Sequence, residues 1–284
     1  MKKNPPRAVD AIGRAHAPAR GDARVVSLVP SITELLFELG AGDRLVGRTG
    51  FCIHPRDRIK TVPKVGGTKS VDIEAIRALA PTHVIVNIDE NEKPTVDQLA
   101  GFVPSVIVTH PLGPLDNPPL YRLLGAIFGG EQRAEELCAA FQKAYDGAVA
   151  GCANLARERV LYLIWKSPWM TVSRDTYISR ALAAVGWDTV EIDSVDRYPK
   201  IELKPALLSG VDRVLFSSEP YAFRERDLDE VRQLLATSGT DFIPTPMEDV
   251  DSPVIVSLVD GEMSSWYGSR AIEGMKYLSG LRTG

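Results

Sequence analysis

Three kinds of residue in this sequence could do chemistry, and they fall on predicted loops. Cys52 and His54 form a C-x-H pair, whose thiolate and imidazole groups are ligands for zinc, iron or cobalt. Two ligands do not close a metal site, and neither a C-x-x-C nor an H-E-x-x-H motif accompanies them. The alternatives are therefore metal ligation, lining of a binding site without metal, and ordinary loop packing.

The second kind consists of aromatic side chains in loops that follow predicted strands of the second half: Trp165, Trp169, Trp266 and Tyr267. Large rigid rings are the side chains that cover a flat apolar ligand. We expect at least two of the four at a binding site. The alternative is that two of them belong to the core.

The third kind is charged. Four cations on or near these loops could pair with the carboxylate, phosphate or other anionic oxygens of a ligand, or lie on the solvated surface: Arg48, Lys69, Lys166 and Arg270. Glu219 and Asp260 could supply acid–base groups or metal ligands to an enzyme. The sequence has no G-x-S-x-G, P-loop or G-x-G-x-x-G motif, which disfavours a nucleophilic or nucleotide-dependent enzyme.

Strands alternating with helices would position these residues. Residues 25–29 predict a buried strand that Pro30 ends, and Ser31 with Glu34 forms a capping box that predicts a helix directly behind it. Further apolar runs at residues 83–86 and 105–108 alternate with helical segments, which indicates a parallel sheet with helices on both faces. Ligands bind such sheets at the carboxyl ends of the strands.

A long predicted helix divides the chain, and the strand–helix alternation restarts after it. We expect a disordered tail over residues 1–23, an N-terminal α/β lobe over 24–130, a connecting helix over 131–157 and a C-terminal α/β lobe over 158–284. At 1.5 Å per residue the helix would be about 40 Å long. The predicted fold class is α/β, with two Rossmann-like lobes joined by one rigid helix and a ligand cleft between the lobes.

Composition excludes several other classes. The net charge of −4 and the absence of a Lys/Arg-rich tract argue against a nucleic-acid partner. No apolar run reaches the ~18 residues of a transmembrane helix, and three cysteines do not form a disulfide framework. The N-terminal residues lack the apolar region of a signal peptide, which predicts a cytoplasmic protein, or a periplasmic one if the true start lies upstream. We also expect a monomer.

Residues 24–36, RVVSLVPSITELL, resemble the opening of the class III substrate-binding proteins. These are the helical-backbone receptors for vitamin B12, ferric siderophores and haem that feed ABC importers. Further segments that match the family lie at residues 39–47, 65–67, 72–85, 175–178, 183–186 and 217–220. The resemblance extends over roughly residues 24 to 280 and is closest to the vitamin-B12-binding branch.

The resemblance implies a ligand clamped between two lobes that move little, with no cofactor required. The ligand could be cobalamin, haem or a ferric siderophore, and the loop at residues 87–90 carries no tryptophan, unlike the vitamin-B12 pattern. The loops at the carboxyl ends of the predicted strands would supply the ligand contacts: Pro30, Ser31, Arg48, Phe51, Cys52, His54, Thr68, Lys69, Asn87, Trp165, Trp169, Glu219, Tyr221, Asp260, Trp266 and Tyr267.

The resemblance also implies a membrane partner. In the importers, one surface glutamate on each lobe docks onto arginines of the permease, which points to Glu90 or Glu92 and to Glu219 in this chain. The leading hypothesis is therefore a non-catalytic receptor for a metal chelate, with a corrinoid first. The alternatives are a cytoplasmic carrier or sensor of the same ligand class, and a metal-dependent, chelatase-like enzyme that uses Cys52 and His54.

Overall fold

A computed structural model describes residues 8–237 and 254–284. Its strands are β1 (Ala8–Val9), β2 (Ala15–His16), β3 (Val25–Ser27), β4 (Leu45–Arg48), β5 (His83–Asn87), β6 (Ser105–Thr109), β7 (Glu158–Leu163), β8 (Trp187–Thr189), β9 (Arg213–Ser217) and β10 (Ile255–Val259). Its helices are α1 (Pro30–Glu38), α2 (Ile73–Ala78), α3 (Lys93–Ala100), α4 (Asn117–Phe128), α5 (Glu131–Cys152), α6 (Tyr177–Ala184), α7 (Pro205–Leu208), α8 (Glu225–Thr237), α9 (Gly261–Ser265) and α10 (Ala271–Thr283).

The chain divides into two compact units. Unit 1 takes in the chain up to residue 111, residues 115–142 and residues 267–270, and unit 2 takes in residues 112–114, 143–266 and 271–284. Unit 1 has a parallel sheet of strand order β4-β3-β5-β6, and unit 2 has one of order β10-β9-β7-β8. When the strands are numbered within each unit, both sheets have the order 2-1-3-4. The predicted α/β class is confirmed, and one topology occurs twice.

The strands are short runs of Val, Ile and Leu because helices pack apolar side chains against the two sheets. In unit 1, Val84 and Val106 pack with Ile76 of α2 and Leu99 of α3, whereas Ile85 on the opposite face of the sheet is also buried. In unit 2, Leu161, Val214 and Phe216 pack with Leu228 and Val231 of α8. Strands buried on both faces are typical of parallel sheets covered by helices.

Helix α1 begins differently from the sequence prediction. Its N-cap is Val29, Pro30 occupies the first turn, and no side chain caps the helix. Proline is favoured at this position because its fixed φ is already helical and it has no N–H to leave unsatisfied. Glu34, predicted to complete a capping box with Ser31, instead accepts hydrogen bonds from Nε and Nη2 of Arg270 at 2.9 and 2.7 Å. The predicted capping box is therefore wrong.

The N-terminal segment is ordered over residues 8–23, where the sequence predicted a disordered tail. Strands β1 and β2 form a hairpin, and the chain next to it bonds β6, the outer strand of the unit 1 sheet. Ala11 N donates to Val108 O at 2.9 Å, and Val108 N donates to the buried Asp10 carboxylate at 3.1 Å. The sheet leaves these backbone groups of β6 without a partner strand, and bonding to them orders the segment. Composition alone does not reveal such a partner. Residues 1–7 lie outside the described part of the chain.

Helix α5 ends at Cys152, five residues before the predicted end of the connecting helix. Its buried side chains include Ala134, Leu137, Phe141 and Ala148, a spacing of three and four residues that defines one apolar helical face. The division between the two units falls within this helix, after Gln142. In the two ranges that the structure describes, no helix has both the length and the apolar character needed to cross a lipid bilayer.

Candidate functional site

The carboxyl ends of the strands define the candidate site in each unit. In both sheets the strand order changes direction between the first and third strands of the unit, β3 and β5 in unit 1 and β7 and β9 in unit 2. Ligands of doubly wound α/β domains bind outside the carboxyl ends of the strands at such a switch point. The loops that follow these four strands and their neighbours β4 and β10 are therefore the place to look for ligand contacts.

In unit 1 several of the predicted ligand residues hold the loops to one another. Asn87 Oδ1 accepts a hydrogen bond from Asp89 N at 2.8 Å, and its own N–H donates to Asn91 Oδ1 at 2.9 Å. Asn91 Nδ2 donates to Thr68 O at 3.0 Å, which ties the β5–α3 loop to the loop before α2. Lys69 Nζ donates to Asp89 O at 2.9 Å. Asn87 therefore serves loop geometry, and we leave it out of the proposed ligand contacts.

Arg48 was predicted to be a cation at the binding site, but its guanidinium is buried. It donates to the backbone carbonyls of Val62 and Thr49 at 3.2 Å each and to that of Cys52 at 3.1 Å. These bonds fix the β4–α2 connection to the end of β4. The guanidinium charge is used within the fold, so Arg48 is not among the proposed ligand contacts either.

Cys52 faces the interior of unit 1. Its thiol is fully buried, and its Sγ lies 3.0 Å from Thr33 Oγ1 of α1 and 3.2 Å from Thr49 Oγ1. Burial raises the pKa of the Cys52 thiol, which disfavours the thiolate that would bind a metal. Across residues 8–237 and 254–284, no group of three or more His, Cys, Asp or Glu side chains is placed to hold a metal ion. The geometry favours loop packing for Cys52.

Apolar side chains are exposed at this edge of unit 1. Phe51 and Ile53, in the loop after β4, are 63% and 44% exposed, and Ile88, directly after β5, is 46% exposed. Phe51 was predicted from the sequence, whereas the two isoleucines were missed. An apolar residue in an otherwise polar loop after a strand is the sequence pattern that could have indicated them.

Ser31, which the sequence placed at the site, has an unusual environment. The residue is only 4% exposed, and its Oγ has no hydrogen-bond partner among the described residues. A buried hydroxyl without a partner costs about 1–3 kcal/mol. It lies in the first turn of α1 beside the partly exposed Pro30.

In unit 2 one predicted aromatic side chain is exposed. Trp165, after β7, is 40% exposed, and its ring contacts that of Tyr221 edge-to-face at 5.5 Å between centroids. Trp169 instead stacks on Phe223 at 5.9 Å and packs on the core, and Trp266 is buried. Trp165 and Tyr221 are therefore the aromatic pair that this edge presents.

Glu219, after β9, is a half-buried carboxylate. Trp266 Nε1 and Ser265 Oγ both donate to its Oε1, the hydroxyl at 3.3 Å. Burial raises the pKa of Glu219 to about 7, and the negative charges of Glu262 and Asp260 act in the same direction. Asp260 caps α9 by accepting from Met263 N at 3.2 Å. Glu219 therefore changes its charge near neutral pH.

The consecutive residues Trp266 and Tyr267 each hold a glutamate that was predicted to dock onto a permease. Trp266 bonds Glu219 within unit 2, and Tyr267 Oη donates to Glu90 Oε1 at 2.5 Å within unit 1. Tyr267 was predicted to be a ligand contact and is buried. Of the three predicted docking glutamates, Glu92 is the exposed one.

Exposed apolar side chains thus lie at the carboxyl edge of each sheet, where α/β domains bind ligands. Residues 25–203 match the family described as periplasmic binding protein. This chain belongs to that family.

Individual relatives agree with this assignment. The chain is 23% identical over 202 residues to the vitamin B12-binding protein of Pectobacterium carotovorum subsp. carotovorum, covering 69% of this chain and 72% of that protein. The periplasmic vitamin B12-binding protein of Vibrio cholerae superimposes with a TM-score of 0.75 at 16% identity, covering 91% of this chain and 96% of that one. The periplasmic heme-binding protein of Roseiflexus sp. RS-1 gives 0.73 at 23% identity, covering 93% and 98%. The predicted resemblance to this receptor family is confirmed.

Proposed function

We propose that this protein is a non-catalytic receptor that binds a metal chelate, with a corrinoid as the first candidate, and passes it to an ABC permease. Family membership supports the receptor role. Relatives described as vitamin B12-binding and heme-binding proteins support a flat metal chelate as the ligand.

The observation that carries the proposal is the exposed apolar surface at the carboxyl edge of each sheet. Unit 1 presents Phe51, Ile53 and Ile88, and unit 2 presents Trp165 with Tyr221. Large apolar side chains exposed at the place where α/β domains bind ligands are typical of a binding site. At ~25 cal/mol per Å², a ring system that buries about 300 Å² of apolar surface gains roughly 7 kcal/mol, close to the ~8 kcal/mol of a micromolar complex.

The environment of Cys52 disfavours the enzyme alternative. This alternative used Cys52 and His54 as metal ligands, with Glu219 and Asp260 as further ligands or acid–base groups. Cys52 is a fully buried thiol, and burial raises its pKa. The family is one of binding proteins. We therefore propose no reaction.

Titration of the purified protein with cyanocobalamin, dicyanocobinamide, haemin and a ferric siderophore tests the ligand class. Calorimetry or tryptophan fluorescence gives the dissociation constants. We expect at least one ligand to bind with a dissociation constant below about 10 μM, and corrinoids to bind more tightly than the others. If no member of the series binds more tightly than about 100 μM, the proposal is wrong.

Delivery to a permease requires the protein to be outside the cytoplasm. Expression from the native upstream DNA, followed by cell fractionation, tests this part of the proposal. We expect recovery in the periplasmic fraction. Recovery in the cytoplasm would contradict the import role and would support a carrier or sensor of the same ligand.

A further inference from the structure

We propose that Glu219 determines ligand specificity: its carboxylate accepts a hydrogen bond from an N–H donor of the ligand and disfavours ligands that present carboxylates. A corrin ring carries primary amides on its periphery, whereas a haem carries two propionates. The inference rests on the proposed function and names the chemical class that the unit 2 edge accepts.

The position of Glu219 is fixed from two sides. Trp266 Nε1 and Ser265 Oγ both bond Oε1. Behind the side chain lies Gly261, where an added Cβ would be 2.4 Å from Glu219 Cγ and 2.7 Å from Ser217 Oγ. Any residue larger than glycine at position 261 would therefore clash with the Glu219 side chain. This packing and the two hydrogen bonds hold the carboxylate in place.

The groups around Glu219 are acidic or neutral. Glu262 and Asp260, from α9 and its N-cap, place negative charge beside it, and the hydroxyl of Tyr162 comes from β7. The Tyr277 hydroxyl of α10 accepts a hydrogen bond from Asp260 N. No cation therefore compensates Glu219 among these neighbours.

Lys166, which follows Trp165 in the chain, forms ion pairs with carboxylates of α8. Lys166 Nζ pairs with Asp227 at 3.1 Å and with Glu230 at 2.9 Å. An acidic edge of this kind attracts hydrogen-bond donors and repels anionic oxygens, since like charges placed together cost free energy. This charge pattern is the reason to expect amide-bearing ligands.

Protonation of Glu219 then makes ligand choice depend on pH. The raised pKa of about 7 means that the carboxylate dominates above neutrality and the carboxylic acid below it. A ligand that needs the carboxylate as an acceptor should bind about tenfold more weakly at about pH 6 than at about pH 8. A ligand that presents carboxylates should show the opposite trend, because protonation removes the repulsion.

Three corrinoids with the same ring separate these effects: dicyanocobinamide with amide side chains, dicyanocobyrinic acid with carboxylates, and its heptamethyl ester with neither N–H donors nor charge. Each is titrated calorimetrically at about pH 8 and about pH 6. We expect the amide ligand to lose about tenfold in affinity on acidification, the acid to gain, and the ester to change by less than about threefold.

Glu219→Gln assigns the effect to this residue. We expect this variant to lose the pH dependence for the amide ligand, and to bind the acid more tightly at about pH 8. Glu273→Gln, an exposed glutamate of unit 2 that pairs with Lys276, is the matched control and should behave as the parent protein. If Glu219→Gln does not fold, Trp266→Phe removes the indole donor instead and should move the pH midpoint upward.

Two outcomes would overturn the inference in different ways. Tight corrinoid binding with the same affinity for amide and acid at both pH values would refute the role of Glu219 and leave the proposed function standing. Absence of binding by all three corrinoids would remove the corrinoid as candidate ligand and the specificity role with it.

Discussion

The two units share one strand order, yet their carboxyl edges differ in what they do with polar side chains. In unit 1 the amides of Asn87 and Asn91 hydrogen-bond within and between loops, and the Arg48 guanidinium bonds three backbone carbonyls. In unit 2 the Glu219 carboxylate accepts a hydrogen bond from Trp266, and its pKa is raised to about 7. The same topology thus supports an apolar edge in one unit and an edge that can change its charge in the other.

The comparison shows which properties belong to the fold and which belong to the loops. The strand order fixes where a ligand can bind, because both switch points lie at the carboxyl ends of the first and third strands. The chemistry of each edge depends on a few side chains after those strands. Because the two sheets share one strand order, the loop residues account for the difference between the two edges.

The outer strands of the two sheets also differ. The N-terminal hairpin covers β6 in unit 1 through Asp10 and Ala11. The outer strand β10 of unit 2 keeps Ile255 and Leu258 partly exposed. An unpaired strand edge is a site where other chains can pair, so the hairpin protects the β6 edge of unit 1.

The largest predicted effect concerns this hairpin. The Asp10 carboxylate accepts hydrogen bonds from Ile12 N, Arg14 N, Val108 N and the His16 imidazole at 2.9–3.1 Å. Asp10→Ala leaves these donors unpaired and should lower the free energy of unfolding by about 3 kcal/mol. Chemical denaturation measures the loss, and hydrogen exchange should show reduced protection of the Val108 amide. Asp22→Ala, at an exposed position, should leave both unchanged.

The second effect tests the charge of the unit 2 edge without any ligand. The pKa of Glu219 is about 7 in the folded protein against an ordinary 4.5. The folded state therefore binds this proton more tightly than the unfolded state, and the contribution of Glu219 to stability falls as the pH rises through 7. Between about pH 5 and about pH 8 the loss should be roughly 2.5 kcal/mol.

Glu219→Gln lacks this proton and supplies the comparison. The difference in unfolding free energy between the parent and Glu219→Gln, measured by denaturation across this pH range, isolates the residue from all other carboxylates. A constant difference would show that Glu219 titrates in its ordinary range, and unit 2 would then resemble unit 1.

The third effect concerns the space behind Glu219. Gly261→Ala would put a Cβ 2.4 Å from Glu219 Cγ and 2.8 Å from Glu219 N. Overpacking of this kind should cost about 2 kcal/mol and displace the carboxylate. Gly147→Ala is the matched control, because no neighbouring side chain or other element lies within 4 Å of a Cβ added at Gly147. This variant should stabilise helix α5 slightly. Equal stability of the two variants would contradict the close packing.

The fourth effect compares the aromatic edge of unit 2 with the apolar edge of unit 1. Trp165 is partly exposed, so Trp165→Ala should weaken binding of the tightest ligand about tenfold or more while changing stability little. Phe51→Ala should weaken binding less, because a phenyl ring covers less ligand surface than the indole ring of Trp165. Leu155→Ala removes a similarly exposed apolar side chain that follows α5 and should not affect binding. Unchanged affinity in the tryptophan variant would contradict the proposed contact.

The local sequence was sufficient for some features of this molecule. Runs of β-branched residues such as those of β5 and β6 predicted strands correctly, because burial on both faces leaves a continuous apolar signal. The alternation of these runs with helical segments predicted the α/β class, which is confirmed. Phe51 and Trp165, predicted because their loops follow strands, are both exposed, and their role as ligand contacts stays a prediction.

Other features depended on partners far away in the sequence. Glu34 bonds Arg270, which lies 236 positions later, so the local capping box could not compete. The N-terminal segment is ordered by Val108, 98 positions after Asp10, and the Arg48 guanidinium bonds the carbonyl of Val62, 14 positions later. A local pattern shows that a polar residue is present at the site, but the fold decides whether that residue is available to a ligand.

The smallest predicted effect tests this last distinction within helix α1. The Ser31 hydroxyl is buried without a partner among the described residues, whereas Thr33 Oγ1, two residues later, lies 2.9 Å from Ser27 Oγ and 3.0 Å from Cys52 Sγ. Ser31→Ala should therefore stabilise the free protein by up to about 1 kcal/mol, and Thr33→Val should destabilise it by a similar amount. A loss of ligand affinity in Ser31→Ala, together with unchanged or higher stability, would show that the hydroxyl finds its partner in the ligand. Destabilisation by Ser31→Ala would instead mean that the fold already satisfies it, and the two hydroxyls of α1 would then be equivalent.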